Sequence, residues 1–64
     1  MMVNGNFTTM EKEQTLSDFL DARKFEIKTI AVERNGEIVP KAFYPKIVLQ
    51  DEDTLEIVKF VGGG

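Results

Sequence analysis

A chain of 64 residues makes one domain, and a domain this short buries only about 60% of the surface its unfolded chain exposes. It contains no cysteine and no histidine, which removes disulfides and the usual thiolate and imidazole zinc sites. Eight basic residues against eleven acidic ones give a net charge of -3, which argues against nucleic acid as a partner, while 42% apolar and 30% charged residues suit a folded, soluble chain.

Taken in order, the first signal is Asn4-Gly5. Asn-Gly favours a type I′ turn, in which both central residues take positive φ, so two antiparallel strands are predicted to open the chain. Whether Phe7 or Thr8 faces the core depends on register, which the imperfect alternation leaves open. Glu11 to Gln14 is a polar link, and Thr15-Leu16-Ser17-Asp18 then reads as a helix start, with Thr15 capping the Asp18 N–H and Asp18 at the positive end of the dipole. Leu16, Phe19 and Leu20 form an apolar stripe, continued by Arg23. Asp18, Asp21 and Lys24 fall on the solvated side, so the helix is expected to lie over a sheet. Phe25 and Ile27 are expected to close the helix and pin the next loop.

From Thr29 to Arg34 the pattern alternates, placing Ile30 and Val32 on one side of a half-buried strand. Asn35-Gly36 turns the chain into a brief extended piece, Ile38-Val39, before Pro40. Lys41 to Tyr44 reads as a 3₁₀ or irregular connection in which Phe43 or Tyr44 plugs a gap. Ile47-Val48-Leu49 is a short apolar segment, and Gln50 to Asp53 a polar turn. The three acids Asp51, Glu52 and Asp53 lack the ligand spacing and central glycine of a calcium loop. Thr54 to Val61 is the last strand. Its alternation breaks at Val58, Phe60 and Val61, which suits either a strand buried on both faces or one whose end is an exposed docking patch. The expected fold class is α+β, with a domain over 1–61 and a flexible glycine tail at 62–64.

The missing chemistry is equally informative. Ser17 has no histidine to activate it, and no glycine-rich phosphate loop of either familiar kind is present, so the chain does not read as an enzyme. No apolar run approaches the ~20 residues of a membrane span, and the N-terminus lacks a signal peptide's basic and apolar regions. No membrane partner is expected, and the expected location is cytoplasmic. Asn6-Phe7-Thr8 fits the glycosylation pattern, but without a secretory signal it carries no weight. What remains distinctive is Gly62-Gly63-Gly64, which reads either as a frayed end or as a slender strand reaching about 10 Å beyond the fold. Its terminal carboxylate is a poor electrophile and would need activation, for instance as an acyl-adenylate, by a partner that binds ATP.

Four stretches carry a resemblance. Thr15-x-x-x-Phe19-Leu20, Ala31-Val32-x-x-Asn35-Gly36-x-Ile38-Val39-Pro40, Asp51-x-Asp53-x-Leu55-Glu56-Ile57-Val58 and Phe60-Val61-Gly62-Gly63-Gly64 together resemble the ThiS family of sulfur carriers in thiamin biosynthesis. The resemblance covers essentially the whole chain. It implies a ubiquitin-like β-grasp fold, with a mixed sheet and one helix packed across it. It also implies adenylation of Gly64 by an E1-like, ThiF-type enzyme using ATP, with no cofactor bound by the carrier itself. Sulfur from a sulfur-donating enzyme would then give a thiocarboxylate at Gly64 for delivery to a ThiG-type thiazole synthase, with Gly62 and Gly63 threading into partner active sites. Many members carry Asp-Gly-Asp where this chain has Asp51-Glu52-Asp53, which puts the local backbone in question. The small subunit of molybdopterin synthase, usually longer, and a plain interaction domain with an inert tail are the alternatives. Val58 and Phe60 are either a docking surface for the partners or ordinary core.

Overall fold

The computed structural model describes residues 1–60, so Val61 and the predicted 62–64 tail lie outside the described residues. The opening hairpin forms as expected: β1 (Met2–Val3) and β2 (Asn6–Phe7) pair antiparallel, with Met2 opposite Phe7 and Val3 opposite Asn6. Asn4 and Gly5 at the turn have φ of 50° and 81°, as a type I′ turn requires. This register buries Val3 and leaves Phe7 exposed, with Thr8 half-buried.

Helix α1 (Leu16–Ala22) starts at Thr15, whose Oγ1 accepts the Asp18 N–H at 3.1 Å. The other early donors are also taken: Leu16 N–H by the Ile47 carbonyl at 2.9 Å, Ser17 N–H by that of Tyr44 at 3.0 Å, and Phe19 N–H by that of Thr15 at 3.0 Å. The N–H groups of Leu16, Ser17 and Asp18, which have no partner within the helix, are thus all taken up by the protein. At the other end Phe25 N–H reaches Leu20 O at 2.9 Å and Lys24 N–H reaches Asp21 O at 3.0 Å, a Schellman closure with Lys24 at φ 63° where glycine is usual. Phe25 and Ile27 pack against the core, as predicted. Arg23 is exposed and ends the stripe by laying its guanidinium over the Phe19 ring, 4.8 Å from its centroid.

A 3₁₀ turn at Ile27–Thr29 leads into β3 (Ile30–Arg34), and Asn35-Gly36, with φ of 53° and 87°, turns into β4 (Glu37–Ile38). A second 3₁₀ turn, Lys41–Phe43, places Tyr44 rather than Phe43 in the gap: Tyr44 is buried and Phe43 exposed. The apolar segment 47–49 forms no strand beyond a single bridge from Val48 to Thr15, although Leu49 joins the core. β5 is Thr54–Lys59.

The five strands make one mixed sheet in the order β2-β1-β5-β3-β4. β1 and β5 are parallel neighbours, while β5 and β3 run antiparallel over the longest ladder, from Ile30 opposite Lys59 to Arg34 opposite Leu55. Val3, Ile30, Val32, Leu55 and Ile57 share a core with Leu16, Phe19 and Leu20 of α1, so the helix covers one face of the sheet. This is the α+β arrangement expected from the sequence.

Candidate functional site

The strand that leads to the glycine tail is the central one of the five, held on both sides. Odd-numbered residues of β5 face β1: Asp53 O accepts Met2 N–H at 3.0 Å and Leu55 O accepts Asn4 N–H at 2.9 Å. β1 turns away at Asn4, and the Asn4 side chain continues the ladder in its place. Its Oδ1 accepts the Ile57 N–H at 2.6 Å and its Nδ2 donates to the Ile57 carbonyl at 3.3 Å. One side-chain amide thus stands in for a strand residue. Even-numbered residues face β3, and just past the strand's end Phe60 keeps the same pattern, donating its N–H to Thr29 O at 2.9 Å. The chain is therefore anchored up to four residues before Gly64.

The start of β5 is fixed by a second cluster. Asp53, only 3% exposed, accepts from Arg34 Nε at 2.9 Å, from Asn35 Nδ2 at 3.0 Å and from the Gln50 N–H at 2.9 Å. Asn35 Oδ1 in turn takes the Thr54 N–H at 2.9 Å. Burial pushes the Asp53 carboxyl upward, but these donors and the Arg34 charge outweigh it and hold the group below its ordinary value. Asp53 is thus a structural carboxylate. Glu52 does not adopt positive φ, so the turn needs no glycine there and the backbone is unstrained. Among the described residues no group of three His, Cys, Asp or Glu side chains could hold a metal ion, and no helix is long and apolar enough to cross a membrane.

Of the residues singled out in the sequence, Gly62, Gly63 and Gly64 lie outside the described residues. Val58 and Phe60 are placed clearly: they are 57% and 40% exposed, so neither is ordinary core. The broken alternation does not come from a strand buried on both faces. It comes from apolar residues on the face that α1 leaves open, where Val58 sits opposite Ala31 and where Met2 and Phe7 are also exposed. In the same ladder Glu33 and Glu56 lie directly opposite one another, a like-charge pair that costs stability. A cavity of about 320 Å³ between β4 and the second 3₁₀ turn, lined by Ile38, Val39, Pro40 and Phe43, contains no nucleophile and no pair of acids. The Asn4 bridge and the Asp53 cluster escaped sequence reading, since they join residues 53 and up to 19 positions apart with no local signal.

Comparison with known proteins is consistent throughout the chain. The family model described as "ThiS family" matches residues 1–64. The Bacillus subtilis protein named "Sulfur carrier protein ThiS" is 42% identical over 65 residues, covering 100% of this chain and 98% of that protein. A "Thiazole synthase" of Paramagnetospirillum magneticum is 39% identical over 64 residues, covering 100% of this chain but only 20% of that protein, so the chain spans about a fifth of that relative's length. The crystal structure of a Geobacter metallireducens thiamine biosynthesis protein (ThiS) superposes with a TM-score of 0.83 at 27% identity, covering 98% of this chain and 96% of that one.

Proposed function

The chain belongs to the ThiS family, with its ubiquitin-like β-grasp fold, and from that premise we propose that it is a sulfur carrier of thiamin biosynthesis, acting in the cytoplasm as a protein co-substrate rather than a catalyst. The observation that carries this reading is the match along the full length of both chains to the Bacillus subtilis carrier. The reacting group is the Gly64 carboxylate. An E1-like partner joins it to the α-phosphate of ATP, releasing pyrophosphate and converting an unreactive carboxylate into an acyl-adenylate. Sulfide-level sulfur, HS⁻, released by a sulfur-donating enzyme attacks the acyl carbon, AMP and a proton depart, and the C-terminus becomes a thiocarboxylate. Its sulfur is then transferred to a thiazole synthase. Gly62 and Gly63 carry no Cβ, so the last residues can enter a narrow partner active site. That thiazole synthases contain a region similar to this whole chain supports the thiazole synthase as acceptor. The open face around Val58 and Phe60 would be the docking surface beside the tail.

Intact mass after incubation with ATP, the adenylating enzyme and a sulfur source tests the reading. A shift equal to replacement of one oxygen by sulfur is expected, confined to the C-terminal peptide and absent when Gly63 and Gly64 are removed. An unchanged mass, with no ATP–pyrophosphate exchange, would refute it.

A further inference from the structure

The last described residue, Phe60, is held by more than its backbone. Even-numbered residues of β3 direct their polar groups towards β4, and Val39 N–H satisfies Val32 O at 2.9 Å. The chain then bends into the 3₁₀ turn at Lys41, the residue whose N–H would come next in the ladder, so the next carbonyl on that side, Ile30 O, is left without a backbone donor from β4. Lys41 fills the gap: its Nζ donates to Ile30 O at 2.6 Å. There the ammonium lies 5.5 Å from the centroid of the Phe60 ring and 6.0 Å from that of Tyr44, within cation–π range of both. Tyr44 is buried in the core, whereas Phe60 is 40% exposed at the root of the tail. The ammonium thus couples a buried ring, a sheet carbonyl and the side chain of the last described residue.

We propose that Lys41 is a positioning residue for the tail: by clamping Phe60 it fixes where the chain leaves the sheet, and so lowers the ordering cost when a partner takes up Gly62–Gly64. The proposal rests on Gly64 being the reacting terminus. Freeing Phe60 adds roughly one residue's conformational freedom to what binding must freeze, which weakens uptake of the tail and leaves the chemical step alone.

The test compares wild type, Lys41→Met, Lys41→Arg and Phe60→Leu in ATP–pyrophosphate exchange with the adenylating enzyme, alongside amide exchange of the free proteins. Lys41→Met is expected to raise KM for the carrier roughly threefold to tenfold with kcat unchanged. Lys41→Arg should restore it, and adding Lys41→Met to Phe60→Leu should have little further effect. In the free protein Lys41→Met should speed exchange of the Phe60 amide while those of Leu55 and Ile57 hold. An unchanged KM, no rescue by arginine, or a uniform loss of protection across β5 would overturn the proposal. Wild-type protein that supports no pyrophosphate exchange would refute the carrier function instead, and amide exchange at Phe60 would still decide the clamp.

Discussion

Replacing Asp53 by asparagine preserves shape and removes the charge that three donors converge upon. Both Arg34 Nε and the Gln50 N–H point at Oδ2 and Asn35 Nδ2 at Oδ1, so wherever the new amide's NH₂ sits it meets a donor where an acceptor is required. Hydrogen bonds to a charged group contribute about 1.5–3 kcal/mol each, but they are not additive, and Arg34, with its side chain 28% exposed, regains water once released. A net loss of about 2–3 kcal/mol at neutral pH is expected, which for a domain of this size lowers Tm by roughly 10–20 °C. Urea unfolding followed by far-UV circular dichroism, with the near-UV signal of Tyr44, the chain's one tyrosine, measures it directly. The pH dependence supplies a second arm. The folded-state pKa of Asp53 lies below its unfolded value, so its contribution is fully present above the unfolded value of about 3.9 and disappears as pH falls through the folded one. The gap between wild type and Asp53→Asn should therefore close on acidification below about pH 4. A loss under about 0.5 kcal/mol at neutral pH, or a gap constant down to about pH 2, would refute the reasoning.

Asn4→Gly keeps the turn's positive φ but deletes the amide that pairs with Ile57; it should cost about 1–2 kcal/mol by thermal unfolding and speed exchange of the Ile57 amide. At Lys24, held at φ 63° in the helix closure, Lys24→Gly should stabilise the domain by about 0.5–1 kcal/mol, seen as a higher urea midpoint with unchanged slope. Val58→Ala, on an exposed side chain, should lower stability by less than about 1 kcal/mol while weakening capture by the adenylating enzyme in a titration; a large stability loss with unchanged capture would return Val58 to a purely structural role.

Much of the fold is legible in short-range signals. Asn4-Gly5 and Asn35-Gly36 place both tight turns, Thr15 and Asp18 place the helix start, and the alternation of Ile30 and Val32 identifies a strand, because each rests on neighbours within a few positions. The sequence of β5 is ambiguous for a physical reason. An apolar run looks alike whether both faces are covered or one is kept for a partner, and only the placement of the single helix decides between them. The contacts that fix this strand, Asn4 to Ile57, Arg34 to Asp53 and Lys41 to Ile30, are long-range side-chain bonds, and no spacing rule announces them. Glu52 stands where glycine is common in the family, and the turn closes without positive φ at that position.

The parallel pairing of β1 with β5 has a mechanical consequence. The chain enters along β1 and leaves along β5, so a pull on the C-terminal end, resisted through β1, acts along the strands and across their hydrogen bonds. The bonds from Met2 N–H to Asp53 O, from Asn4 N–H to Leu55 O and between the Asn4 amide and Ile57 must then yield together instead of opening one after another like a zip. An enzyme drawing the terminus into its active site would load these bonds in shear rather than peel them apart.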